Sequence, residues 1–164
     1  ASSLQYEDGT VSVVTMEWPA HVRFLIATPD RALRTEAARK VLPAAIPMKD
    51  AVFNLQRVAR LVHAVTTGET SVLREALKDR WHQPARATLI PELTPALAME
   101  DPDLLGVCLS GAGPSIVAMA SRGFDRITAR LERIYQECGS GVTIRNVSAE
   151  PSGVAAPALA SRGH

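Results

Sequence analysis

Three groups of residues have the types and spacing for chemistry on a small anion. The first is Leu109-Ser110-Gly111-Ala112-Gly113-Pro114-Ser115, set between two apolar runs of β type. Glycines let a backbone approach a ligand closely and take positive φ, and successive amide N–H groups can form a nest for a phosphate. The spacing is neither that of the dinucleotide fingerprint nor that of the Walker A loop, which also needs a lysine. A tight structural turn uses the same residues, so composition permits anion contact without requiring it. The second group is Thr35 and Arg39, four residues apart and hence on one face of a helix. A hydroxyl beside a guanidinium suits a carboxylate or phosphate, which Arg can grip through two parallel hydrogen bonds. With Arg31, Arg34 and Lys40 nearby, a solvated basic face accounts for the same pattern. The third is Arg86 in His82-Gln83-Pro84-Ala85-Arg86, which reads as irregular chain, where binding residues concentrate.

Other reactive residue types form no comparable constellation. His21, His63, His82 and His164 lack metal-ligand spacing, and no Ser, His and Asp stand in a credible nucleophilic order. Cys108, on a strand pattern, reads as a small core residue. Two cysteines make no disulfide framework, and a chain of 164 residues can bury a core without one. Asp50 and Asp79 read as helix-start and helix-end residues, and Met48, Met99 and Met119 as core filler. With 18 Lys and Arg against 17 Asp and Glu, the formal net charge of +1 provides no field to attract nucleic acid or an anionic membrane. No apolar run approaches the ~20 residues that cross a bilayer, and the first residues have no signal-peptide pattern, so a cytoplasmic location is expected.

Secondary structure must bring these groups together. Strands are predicted at 11–18 and 22–28, linked through Pro19 and Ala20 and so expected to pair with each other in antiparallel fashion. A short helix over 31–42, stopped by Pro43, carries Thr35 and Arg39. Ala51, Val52, Leu55, Val58, Ala59, Val62 and Val65 recur at three- and four-residue intervals, which predicts an amphipathic helix over 49–67 ending at Gly68. A helix over 69–78, an irregular polar stretch over 79–88 and a helix from Pro91 through Met99 follow. Strands at 106–109 and 116–120 flank the glycine segment, and a helix at 124–138 leads to a last strand at 142–147. From Pro151 the chain becomes rich in small residues and proline, as a flexible tail does. Strands and helices alternate without a repeat, which gives an α+β class: an antiparallel sheet backed by helices.

In order and content, Thr35-Glu36-Ala37-Ala38-Arg39-Lys40-Val41-Leu42-Pro43, Asp50-Ala51-Val52-Phe53-Asn54, His82-Gln83-Pro84-Ala85-Arg86 with Leu89-Ile90-Pro91, and Leu109 to Ser115 resemble the homoserine kinases. These belong to the superfamily that also holds galactokinase, mevalonate kinase and phosphomevalonate kinase. The glycine-rich piece alone suggests the superfamily, while the two arginine-bearing pieces point to homoserine kinases. The resemblance covers about residues 8 to 150. It implies a ferredoxin-like C-terminal domain over residues 31–150, strands within residues 1–30 that join an N-terminal ATP-binding domain, and a tail over 151–164. It also implies a nucleotide-binding transferase that moves the γ-phosphoryl of ATP to the side-chain hydroxyl of L-homoserine, in threonine biosynthesis, with Mg2+.

By the same resemblance, Arg39 and Arg86 hold the amino-acid carboxylate and Gly111 approaches the substrate. Thr35, Ser110, Ala112 and Gly113 lie near the nucleotide phosphate. No residue is assigned as catalytic or as a metal ligand. The superfamily loop Pro-x-x-x-Gly-Leu-Gly-Ser-Ser-Ala, the early Asn and Asp that address homoserine, and the acidic group associated with magnesium have no counterpart here. The chain therefore looks like a C-terminal half, expected not to be a competent kinase alone, with ATP and Mg2+ bound mainly by the other half. Homoserine and ATP are the implied partners, nucleic acid and membrane are not, and a homodimer is left open. Another small-molecule kinase of the superfamily and a non-catalytic amino-acid-binding module are the alternative readings.

Overall fold

The computed structural model describes residues 2–5 by their backbone, and residues 9–150; the tail expected over 151–164 lies outside the described residues. In chain order the elements are β1 (Ser2–Gln5), β2 (Val11–Val14), β3 (Arg23–Pro29), α1 (Thr35–Lys40), α2 (Met48–Thr67), α3 (Leu73–Ala76), α4 (His82–Arg86), α5 (Leu93–Leu97), β4 (Leu104–Leu109), β5 (Ile116–Ala120), α6 (Phe124–Glu137) and β6 (Val142–Ser148). Four strands form an antiparallel sheet in the order β4-β5-β3-β6. The class is α+β, as expected.

Strand alternation sends successive side chains of the sheet to opposite faces, and both faces are covered. On one side Leu25, Ala27, Ile116, Ala118 and Leu104 pack against Ile127, Leu131 and Tyr135 of α6 and Leu93 and Ala96 of α5. The α6 residues recur every fourth position, the stripe a helix needs to lie on a sheet. Each such large apolar side chain contributes about 1.5–3 kcal/mol on full burial. On the other side Val22 and Met119 meet Ala64 of α2 and Leu73 of α3.

The expected pairing of 11–18 with 22–28 does not occur. β2 stops at Val14 and pairs instead with β1, Ser2 opposite Val14 and Gln5 opposite Val11. Pro19 cannot donate to a ladder. Its carbonyl accepts the Val22 N–H at 2.9 Å in a turn, and Trp18 packs edge-on against Phe24 at 5.1 Å. β3 is thereby free to lie at the sheet centre, between β5 and β6.

Two helices also differ from expectation. The apolar stripe of α2 points outward: Met48 is 79% and Leu55 70% exposed, and Val52, Val58 and Val62 are exposed too, so Met48 is not core filler. The packed face carries Ala64 and Val65, with half-buried Phe53, Asn54, Arg57 and Leu61. Its contacts are aromatic and polar as well as apolar. The Arg57 and Arg80 guanidinium groups each lie over the Phe53 ring, 3.4 and 3.9 Å from its centroid, Arg57 pairs with Glu75, and Asn54 Nδ2 donates to Asp79 at 2.5 Å. The stretch 79–88 is not irregular throughout, because His82–Arg86 forms α4. Asp79 accepts the Trp81 N–H at 2.9 Å and the Gln83 N–H, so it serves the start of α4 rather than the end of α3.

Candidate functional site

Arg86 is the last residue of α4, not a loop residue, and its side chain crosses to two other elements. Nε donates to the Ala38 carbonyl of α1 at 3.3 Å, and Nη1 donates to the Gly111 carbonyl at 2.9 Å. One guanidinium thus joins α1, α4 and the glycine segment, so the three candidate groups of the sequence meet at one place. Arginine has five N–H donors, and two of them are used here. The other three remain for a ligand.

The glycine segment is a tight turn. The Ser110 N–H donates to the Ser115 carbonyl and the Gly113 N–H to the Ser110 carbonyl, both at 2.9 Å, and the Gly113–Pro114 peptide is cis. Gly113 has φ +84°, and a Cβ there would meet Ile90 Cδ1 at 2.7 Å and Leu109 Cδ1 at 3.1 Å. Both backbone conformation and packing therefore require glycine. Gly111 has φ +55° with open space where a Cβ would be, which is the geometry for close approach by a ligand. The turn takes up the amides of Ser110 and Gly113, whereas those of Gly111 and Ala112 make no backbone hydrogen bond among the described residues. The Ser115 hydroxyl lies 3.1 Å from that of Thr28 at the end of β3, fixing the loop to the sheet.

Thr35 and Arg39 occupy the first and last turns of α1, both exposed. The Arg39 side chain has no hydrogen-bond or ion-pair partner among the described residues, while its carbonyl accepts the Leu42 N–H at 3.1 Å. Ala38, next to Arg39, is the one buried residue of this six-residue helix. The position of α1 is therefore governed largely by what holds the chain on either side of it.

A second cluster, which the sequence does not single out, lies just behind. Glu92 is completely buried, and its Oε2 pairs with Arg31 Nη2 at 2.5 Å while Oε1 accepts from the Ser140 hydroxyl. Arg31 Nη1 also donates to the Leu89 carbonyl at 3.1 Å. Burial works to raise the pKa of Glu92, but bonds from Ser140, its own backbone N–H and Arg31 outweigh it and hold the carboxyl below its ordinary value. Tyr135 beside it is shifted upward, by burial and by the Glu92 charge. In sequence, Glu92 looks like an ordinary acidic residue near a helix start, and Arg31 is one basic residue among several.

Burial pushes the Cys108 thiol up to about 11, which removes thiolate character at neutral pH. Among the described residues no group of three His, Cys, Asp or Glu is placed to hold a metal ion. The Arg86 guanidinium N–H groups fit anionic oxygens and cannot themselves ligate Mg2+. Two hollows lie elsewhere. A cleft of about 700 Å³ is lined by Phe53, Arg57, Arg74, Lys78 and Arg80, and an apolar groove of about 490 Å³ by Leu55, Val58, Leu61 and Trp81. Neither is lined by Arg39, Arg86 or Gly111.

The profile of the family "GHMP kinases C terminal" matches residues 61–137. A homoserine kinase of Solibacter usitatus is 42% identical over 128 residues, covering 78% of this chain and 42% of that protein. One from Saccharomyces cerevisiae is 42% identical over 132 residues, covering 77% and 37%. The crystal structure of a homoserine kinase from Cytophaga hutchinsonii superposes with a TM-score of 0.81 at 25% identity, covering 91% of this chain and 48% of that one. The chain spans about two fifths of the length of the curated relatives it matches. Over residues 61–137 it is similar to the C-terminal domain of the GHMP kinases, and along most of its length it is similar to the C-terminal part of homoserine kinases.

Proposed function

We propose that this chain is the substrate-binding part of an ATP-dependent homoserine kinase, which transfers the γ-phosphoryl of ATP to the side-chain hydroxyl of L-homoserine in threonine biosynthesis. The carrying observation is Arg86, bonded at once to the Ala38 carbonyl beside Arg39 and to the Gly111 carbonyl. Arg39 and the free N–H edge of Arg86 grip the amino-acid carboxylate, each guanidinium offering the planar fork that a carboxylate matches. Gly111 lets the substrate come close to the backbone. Thr35 and the Gly111–Ala112 amides face the phosphate side, with Ser110 and Gly113 shaping the turn that presents them.

Phosphoryl transfer suits such a site, because positioning and charge stabilisation carry most of the catalysis. This chain's part is to bind and orient the acceptor. ATP and Mg2+ fall mainly to residues outside it, and the chain alone is inactive. No helix of the described residues is long and apolar enough to cross a membrane, and a cytoplasmic biosynthetic enzyme agrees with that.

With the N-terminal half of a homoserine kinase supplied, phosphorylation should be seen with L-homoserine and not with mevalonate or shikimate. Arg86→Ala should raise the KM for homoserine at least tenfold, and Arg39→Lys should raise it too, since a point charge cannot reproduce the fork. An unchanged KM in Arg86→Ala refutes the carboxylate assignment. Turnover of mevalonate in place of homoserine would establish a different kinase of the superfamily. Homoserine binding without any transfer would establish a non-catalytic module.

A further inference from the structure

We propose that Arg31, Glu92 and Ser140 form a clamp that sets the spacing between the two arginine-bearing segments, with Glu92 a positioning residue for the substrate carboxylate. The inference rests on the reading of Arg39 and Arg86 as the carboxylate grip. Arg31 lies in the link between β3 and α1, four residues before Thr35, while Leu89 and Glu92 follow Arg86 closely. By bonding to both the Leu89 carbonyl and the Glu92 carboxylate, Arg31 ties the segment entering α1 to the segment leaving α4. The Leu89 N–H donates in turn to the Arg86 carbonyl at 2.9 Å, so the tie reaches Arg86 within one turn of chain.

The third member anchors the pair to the sheet. Ser140 sits in the turn between α6 and β6, where its N–H donates to the Tyr135 carbonyl at 2.9 Å and the Asp30 N–H donates to the Gly141 carbonyl at 3.2 Å. Asp30 is the residue before Arg31, so both ends of the clamp are referred to the same corner of the fold.

Only the Glu92 end of this ion pair is buried, Arg31 being 38% exposed, and a pair that takes a carboxylate out of water is a poor way to gain stability, because apolar residues of the same size often do as well. What the fork of Arg31 adds is direction, since it fixes two segments at one spacing where an apolar contact would let them slide. Here the need is specific: α1 buries Ala38 alone, and the Arg86 bond to Ala38 is long at 3.3 Å. Two guanidinium groups on separate segments can hold one carboxylate only at a set distance. Loosening the clamp weakens that shared grip and leaves each arginine individually intact.

The test uses this chain with Glu92→Gln, Ser140→Ala and Arg31→Lys, read by thermal melting, by the NMR signal and hydrogen exchange of the Arg86 Nε–H, and by titration with L-homoserine. In folded Glu92→Gln the Arg86 Nε–H should shift and exchange faster, and homoserine affinity should fall about tenfold. In an Arg86→Ala background the same change should cost nothing more, which a general structural role would not produce. Losses that add, or an Arg86 Nε–H signal that Glu92→Gln leaves unchanged, overturn the clamp. Should Glu92→Gln fail to fold, Ser140→Ala, which keeps the Arg31–Glu92 pair, decides by the same signal. Absence of homoserine binding by the unmodified chain would count against the functional reading, and the clamp would then be judged on the Arg86 signal.

Discussion

On the proposed reading Arg86 serves two ends with one guanidinium: two N–H groups hold backbone carbonyls, and the other three, without a partner among the described residues, are left for the carboxylate. Arg86→Lys should therefore lose both functions in part, since an ammonium cannot span two fixed carbonyls and still present a planar edge. We expect it to lower the melting temperature and homoserine affinity together, whereas Arg39→Lys, on an unbonded exposed side chain, should lower affinity alone. Calorimetric melts and homoserine titrations of the two variants check this. Acid sensitivity belongs to the same scale. Burial would raise the Asp79 pKa, but N–H bonds from Gln83, Trp81 and Asn54 hold it below its ordinary value, and the Arg126 guanidinium does the same for Asp101. With Glu92, these carboxylates have depressed folded values, so their stabilisation is present above the unfolded pKa of about 4 and disappears as pH falls through the lower folded values. Melting temperature should be flat from pH 7 to 5 and drop below pH 4, less steeply in a folded Glu92→Gln variant. Arg39, Arg86 and Gly111 stood out by residue type, but only the family resemblance grouped them; the structure adds the Arg86 bonds to the Ala38 and Gly111 carbonyls. Glu92 did not stand out, since its meaning depends on Arg31, a partner far along the chain.

Among the elements, α2 shows where periodicity stops being sufficient. Its spacing of apolar residues predicted a helix, and the helix is there, but the buried side is the one carrying Phe53, Asn54, Arg57 and Leu61. Hydrophobic spacing identifies a face without saying what lies opposite it, and here Glu75, Asp79 and Arg80 supplied partners for a mixed face. α6 was easier, because its stripe Ile127, Leu131 and Tyr135 had the apolar sheet as its neighbour. Stability measurements should separate the two sides of α2. Leu55→Lys on the exposed side should change unfolding free energy by no more than about 0.5 kcal/mol. Leu73→Ala, which empties the site that α2 and α3 share with Met119, should cost about 2–5 kcal/mol. Urea titration of both variants measures the contrast.

At the scale of the whole molecule, the α+β class and its antiparallel sheet were legible from alternating element types, but the strand order was not. Nearness in sequence suggested that 11–18 and 22–28 would pair, and a proline-bounded turn prevented it. The central strand β3 takes both of its partners from the second half of the chain: Ile26 lies opposite Val117 on one side and Arg145 on the other. A topology of this kind folds in milliseconds to seconds rather than microseconds, because long loops must close before their contacts reward the cost. Stopped-flow refolding should show that range, and a chain ended after Gly141, lacking β6, should lose cooperative melting by circular dichroism. The order also has a meaning for biosynthesis. As the polypeptide leaves the ribosome at roughly 5–20 residues per second, β3 emerges before both of its neighbours and waits several seconds for β6. Throughout that interval it is an unprotected edge on a nascent chain, so the step most exposed to chaperone capture or misassociation is the arrival of β6 beside β3.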